Sequence, residues 1–277
     1  MREKEGEKDK VMDKLMSLKS LRAEIRSGDT IVLGGGGLVR KPMALVEELV
    51  RSDITDLTVV TVLGGPDVDL LLGAGRVKKL IYAYVGFDFA GLAPNFRRAR
   101  EEKRVEFVEG SEYILIAALE AGAKEIPFMP VRSGLGSDLL RINPTLKEFI
   151  SPFGGEKLVA VKAIRPDVAL LHVNYADAPG YGQILGDRFL DPLCARAAKK
   201  TILSAEKVVE TKKIEEQPAD TAILKLWTHG VIEAPGGAGF TSCYPNYAAD
   251  LSRIQDYLEQ ASSKEKFTGY LEKNVLR

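Results

Sequence analysis

The chain has 277 residues, 45% hydrophobic and 28% charged, with 39 basic residues balanced by 39 acidic ones. That length can bury a substantial core. The zero formal charge offers neither the basic surface of a nucleic-acid binder nor the acidic tail of a protein that seeks a basic partner. Two cysteines, Cys194 and Cys243, lack CxxC spacing. Together with the absence of a signal-type apolar stretch or a bilayer-length apolar window, they set the expectation of a cytoplasmic protein with no membrane and no nucleic-acid partner.

In chain order, residues 1–14 read as a polar N-terminal extension, and 15–277 as a single α/β domain. Leu15, Leu18, Leu21, Arg22 and Ile25 are spaced for an amphipathic helix ending at Gly28. "TIVLG" then reads as a strand and "PMALVEELVRS" as a helix, with Pro42 suited to a first helical turn. The alternation continues: "LTVVTVLG" strand, "DVDLLLGAG" helix, "KLIYAYVG" strand, "LAPNFRRAREE" helix, "RVEFVEG" strand, "SEYILIAALEAGAK" helix, and an extended "IPFMPVRSG". Later, "KLVAVKAI", "DVALLHVNYAD" and "TILSAEKVV" read as strands and "DPLCARAAKK" as a helix. A strand before a glycine turn in "LWTHGVIEAPGGAG" and a helix in "NYAADLSRIQDYLEQASS" close the chain. Continuous apolar strands alternating with helices predict an open, mainly parallel sheet covered by helices on both faces, with a peripheral C-terminal layer.

In such a sheet, ligands bind outside the carboxyl ends of the strands. The loops assigned there are Gly34–Gly37, Gly64–Asp67, Gly86–Asp88, Glu109–Glu112 and Arg132–Asp138. Their shared glycine content suits close backbone approach to a ligand, although glycine also simply punctuates turns. The dinucleotide fingerprint fails, because the sixth position from Gly34 is Val39 and from Gly35 is Arg40. No GK[ST] follows the glycines, no GxSxG elbow occurs, and His172 and His229 lack metal-ligand spacing, so no metal site is expected. His172 reads as a satisfied strand histidine.

Two charged positions stand out on that edge. Glu112 opens an otherwise apolar helix, and Arg132 opens a glycine-rich loop. Facing one cavity, they would make a general base and a cation for developing negative charge. The plainer alternative is a carboxylate favouring its helix start and an arginine in a surface ion pair.

At these residues the sequence resembles the alpha subunit of a family I coenzyme A transferase. The likeness runs through "SGDTIVLGG", "RKPMALVEELVRSDITDLTVVT", "IPFMPV", "KLVAVKAIRPDVALLHVNYADAPGYGQI" and "EAPGGAGFTSCYP". It implies the alpha-subunit fold of those enzymes and a beta-subunit partner in an αβ or α2β2 assembly. It also implies an acyl-CoA substrate, with coenzyme A arriving as part of that substrate and no cofactor held permanently. The first glycine loop would provide an oxyanion hole from Gly35, Gly36 and Gly37, although it departs from the transferase "GGFT" form. Gly65, Ser133 and Gly134 would border the substrate.

Within the family, "RKPMALV", "GGPDVDLL" and "PFMPVRSGLGS" are similar to the alpha subunit of the steroid ring-opening CoA hydrolases. That likeness implies hydrolytic C–C cleavage of a cyclic β-diketone CoA thioester, with Glu112 and Arg132 as the catalytic pair. The alternative is a conventional transferase subunit that moves CoA to a free dicarboxylic or 3-oxo acid.

Overall fold

The structure, a computed structural model, describes residues 13–277. Most of the polar extension expected over 1–14 therefore lies outside the described residues. The elements run α1 (Leu21–Glu24), β1 (Thr30–Leu33), α2 (Met43–Val50), β2 (Leu57–Gly64), α3 (Pro66–Gly73), β3 (Val77–Val85), α4 (Pro94–Glu101), β4 (Glu106–Glu109) and α5 (Glu112–Ala123). They continue with β5 (Phe128–Val131), α6 (Leu139–Ile142), β6 (Leu146–Ile150), β7 (Lys157–Lys162), β8 (Val168–Asp177), β9 (Gly182–Gln183), α7 (Asp191–Ala197) and β10 (Lys200–Val209). The last are α8 (Thr211–Glu215), β11 (Thr221–Ile223), β12 (Thr228–Glu233), α9 (Leu251–Gln260) and α10 (Lys264–Asn274).

Seven strands pair in parallel in the order β12-β10-β8-β1-β2-β3-β4, while β9 adds antiparallel to the far half of β8 and β11 antiparallel to β9. The chain fills the sheet outward from β1 in one direction through β4. It then returns to β8, on the other side of β1, and fills outward again. The reversal between β1 and β8 leaves a crevice at their carboxyl ends, where the two sets of crossover connections part.

Successive strand residues face opposite sides, and the burial follows that period of two. Ile31, Leu33, Val59 and Leu80 enter one core with α2, α3, α4, α9 and α10. Val32, Val60, Ala169 and Leu171 enter the other with α5 and α7. Burying each valine, leucine or isoleucine among them contributes about 1.5–3 kcal/mol, which is why these strands read as unbroken apolar runs.

Two expectations are corrected. The helix over Leu15–Ile25 is only a 3₁₀ turn (Leu18–Ser20) and the short α1, while Leu15 makes a bridge to Val231. The "IPFMPV" segment does not continue the parallel sheet. It forms β5 in a separate antiparallel sheet, β5-β7-β6, because Pro130 lacks an N–H for a central ladder and the strand sits at an edge. The Arg132–Asp138 loop is thus not a carboxyl-end loop of the main sheet. The sequence pattern leaves α10 unassigned, since "KEKFTGYLEKN" carries five charged residues in eleven, yet the helix buries Phe267 and stacks it on Tyr270.

The C-terminal layer is tied in by a buried acid. Asp69 on α3 accepts hydrogen bonds from Asn95 Nδ2 (3.0 Å), the Phe96 N–H (2.8 Å) and the Tyr257 hydroxyl (2.8 Å), joining α3, α4 and α9. Burial pushes its pKa up to about 6, against the partial pull of those donors. Because the folded value lies above the unfolded one (about 3.9), its contribution is fully present below that unfolded value and is lost as pH rises through 6. Urea unfolding between pH 4 and pH 7 should therefore show a falling contribution that Asp69→Asn removes; an unchanged slope in the variant would contradict the assignment.

Candidate active site

At the carboxyl end of β1 lies a cavity of about 150 Å³. Its walls are Leu33, Gly34 and Gly35 from β1 and its loop, Val62 and Leu63 from β2, Glu112 at the start of α5, and Phe189, Leu190, Asp191 and Cys194 at the start of α7. It stands beside the β1/β8 reversal, as the topology requires.

Glu112 is the first residue of α5. Ser111 caps the helix by accepting the Ile114 N–H (3.3 Å), which fixes where Glu112 emerges. The same serine hydroxyl lies 3.0 Å from Ser133 Oγ, so the Arg132 loop is fastened to the helix start, and Gly134 packs beside Ile114. Arg132 itself does not line the cavity. Its side chain is 76% exposed and pairs with Glu156 at the end of the β6–β7 hairpin. The loop thus brings Ser133 to the helix of Glu112 but leaves the guanidinium exposed and paired with Glu156.

The glycine loop differs from an open set of donors. Gly35 has φ +68°, and its N–H donates to Asp191 Oδ1 (2.7 Å). The Gly36 N–H donates to the Val39 carbonyl (3.0 Å) and the Gly37 N–H to the Leu63 carbonyl (3.1 Å). The three groups expected to receive an oxyanion are each committed within the fold, and the Phe189 ring covers Gly36. Gly65 serves close packing: a Cβ there would fall 2.3 Å from the Gly37 carbonyl oxygen.

What shapes this loop is a set of buried charges that the sequence reading passed over. The Arg40 guanidinium, 2% exposed, donates to the His172 carbonyl (2.7 Å), the Asp187 carbonyl (2.8 Å) and Asp191 Oδ2. The Lys41 ammonium, fully buried, donates to the Gly34 carbonyl (2.9 Å) and the Leu63 carbonyl (3.1 Å). It also lies 2.9 Å from Asp67 Oδ2, a charge contact rather than an aligned hydrogen bond. Asp67 Oδ1 in turn accepts the Gly65 N–H (2.9 Å). A cation just before a helix N-terminus is electrostatically misplaced unless acids pair with it, and that was the available signal. Burial, then the neighbouring Asp191, push the Cys194 thiol well up, so it is a neutral wall group.

A second buried network sits one strand away. His172 Nδ1 lies 2.8 Å from Ser204 Oγ and Nε2 lies 2.8 Å from Glu206 Oε1, so the histidine is satisfied as expected. Tyr247 donates to Glu206 Oε1 and the Gly236 N–H to Oε2 (2.8 Å). Burial lowers the His172 pKa. Burial opposes ionisation of Glu206, but His172, Tyr247 and Gly236 hold it below its usual value. With Cys243, these residues place three ligand-type atoms within 4.8 Å, a grouping the sequence spacing did not suggest. The His172 and Glu206 atoms already hydrogen-bond each other, which makes the group a brace between β8, β10 and the 234–247 loop.

This is the fold of the coenzyme A transferases. The model of the family "Coenzyme A transferase" matches residues 15–223, and the chain is an enzyme belonging to that family. It is 40% identical over 269 residues to the cholesterol ring-cleaving hydrolase IpdA subunit of Rhodococcus jostii, covering 94% of this chain and 90% of that one. Glutaconate coenzyme A-transferase from Acidaminococcus fermentans superposes with a TM-score of 0.91 at 32% identity, over 95% of this chain and 89% of that one. A variant of the decarboxylase AibA/AibB superposes at 0.85 with 28% identity, over 95% and 100%.

Removing one member of a buried ion pair strands the other charge, which costs about 3–5 kcal/mol. Lys41→Met should therefore lower the unfolding free energy by about that amount in urea titrations. A loss below about 1 kcal/mol, the range of surface pairs, would contradict the buried-clamp description.

Proposed function

We propose that the chain is the alpha subunit of a heteromeric enzyme that opens a carbocyclic ring in an acyl-CoA by hydrolytic C–C cleavage. The observation that carries this reading is the position of Glu112: a carboxylate at a helix start, on the wall of a cavity otherwise lined mainly by Leu33, Val62, Leu63, Phe189 and Leu190. Such a wall suits a hydrocarbon ring, and one carboxylate beside it suits proton transfer to and from water. The 40%-identical relative carries the name of a ring-cleaving hydrolase subunit, in keeping with that chemistry.

Glu112 takes a proton from water, whose oxygen adds to a ring ketone. The bond between that carbon and its neighbour then breaks, and the electron pair passes to an enolate beside the remaining carbonyl. The proton on Glu112 then passes to the neighbouring carbon, which received the electron pair, while the attacked carbon becomes the carboxylic acid, so substrate plus one water gives the opened acid with CoA attached. Because the N–H groups of Gly35, Gly36 and Gly37 are engaged, Arg132 is the group that meets the developing oxyanion. It leaves Glu156 for the substrate, and an exposed ion pair of that kind holds it by no more than about 1 kcal/mol. The partner subunit closes the open side, in an αβ or α2β2 assembly. Coenzyme A enters with the substrate, and two buried free thiols suit a cytoplasmic setting. Transfer of CoA to a free acid is the second reading, favoured by the superposition on glutaconate coenzyme A-transferase.

With a cyclic β-diketone CoA thioester, Glu112→Gln should lower kcat by about 10²–10⁴ while co-purifying normally with the partner subunit. Arg132→Gln should lower kcat by about 10²–10³ with a smaller change in KM. Full activity in Glu112→Gln would refute the assignment.

A further inference from the structure

Phe189 is the largest side chain on the cavity wall, and it stands in left-handed backbone, φ +43°. A bulky residue adopts that conformation only where its surroundings impose it, at a cost of about 1–3 kcal/mol. Here they do so from both sides. The buried Arg40 guanidinium donates to the Asp187 carbonyl (2.8 Å) and pairs with Asp191, so one side chain grips the turn before and after Phe189. Within the turn, Asp187 Oδ1 accepts the Phe189 N–H (2.8 Å) and the Arg188 carbonyl accepts the Asp191 N–H (3.1 Å). The ring fixed in this way lies on Gly36, where a Cβ would fall 2.6 Å from Phe189 Cε1. A glycine is therefore needed to seat it. The cavity that remains, about 150 Å³, is of the size that takes one benzene-like ring. Without the Phe189 ring, the space it fills would join that cavity.

We propose that Phe189 is a specificity-determining residue whose ring, held on Gly36, sets the upper limit on what enters the acyl cavity: one six-membered ring fits and two fused rings do not. This rests on the reading that the cavity receives the ring of the acyl group. The strained turn gives the limit its firmness. A relaxed surface phenylalanine could swing aside for a larger ligand, whereas this one is carried on backbone that Arg40 holds at both ends.

Two uncharged ketones of different size test this, cyclohexanone and the fused bicyclic decalone, titrated into the full chain. Methyl resonances of Leu33, Val62 and Leu63 report entry into the cavity. The wild-type chain should bind cyclohexanone about tenfold more tightly than decalone or better, the penalty for forcing surplus methylenes into a packed site. Phe189→Ala should bind decalone about tenfold more tightly than the wild type does while still taking cyclohexanone. Phe189→Gly should do the same. Glycine suits the left-handed turn and alanine does not, so a role confined to shaping the turn would separate these two variants, whereas a wall makes them alike. Decalone bound by the wild type as tightly as cyclohexanone, or a preference that both variants leave unchanged, overturns the proposal; the acyl-cavity reading then stands, because cyclohexanone still enters. Entry of neither ketone removes that reading and the proposal with it.

Discussion

The peptide between Gly34 and Gly35 is held between opposite charges, and the rest of the site depends on it. Its carbonyl receives the Lys41 ammonium and its N–H donates to the Asp191 carboxylate. The amide dipole therefore lies along the field of two buried ions, each paired in turn, Lys41 with Asp67 and Asp191 with Arg40. Four charges taken out of water would be costly alone; as two pairs with their remaining hydrogen bonds directed at carbonyls and N–H groups, they lock one loop geometry. Through Leu63, Gly65 and Gly37, the same clamp joins the carboxyl ends of β1 and β2.

That rigidity decides how the cavity is used. A loop whose N–H groups are internally engaged is a wall rather than an anion cradle, and the carboxylate on the opposite wall is Glu112, at the start of α5. The Ser111–Ser133 contact joins these two segments although they belong to different sheets. The cavity thus has one side set by buried ion pairs, while Arg132 on the segment joined to Glu112's helix is held only by an exposed pair.

The central strands were legible because a strand buried on both faces must be apolar throughout, as in "LTVVTVLG" and "DVALLHVN". Glu112 was legible because a carboxylate opening an apolar helix after Gly110-Ser111 is a local pattern. Arg40 and Lys41 were not, since two adjacent basic residues read as solvated surface, and their acids come from the following helix α3 and from α7, 151 residues further along the chain. Asp191 was hidden for the same reason: at the first turn of α7 it looks like a dipole complement, and only tertiary structure brings Gly35 and Arg40 to it. The separate β5-β7-β6 sheet escaped because strand partnership is a long-range property that the extended "IPFMPV" pattern does not encode.

The central claim is that water, directed by Glu112, opens a ring while CoA stays attached. The direct measurement is product mass after turnover of a cyclic β-diketone CoA thioester in ¹⁸O-labelled water, with a free dicarboxylic acid present as competitor. The account predicts a CoA-bearing product carrying one labelled oxygen from water. CoA appearing on the free acid, with the ring intact and unlabelled, would contradict it.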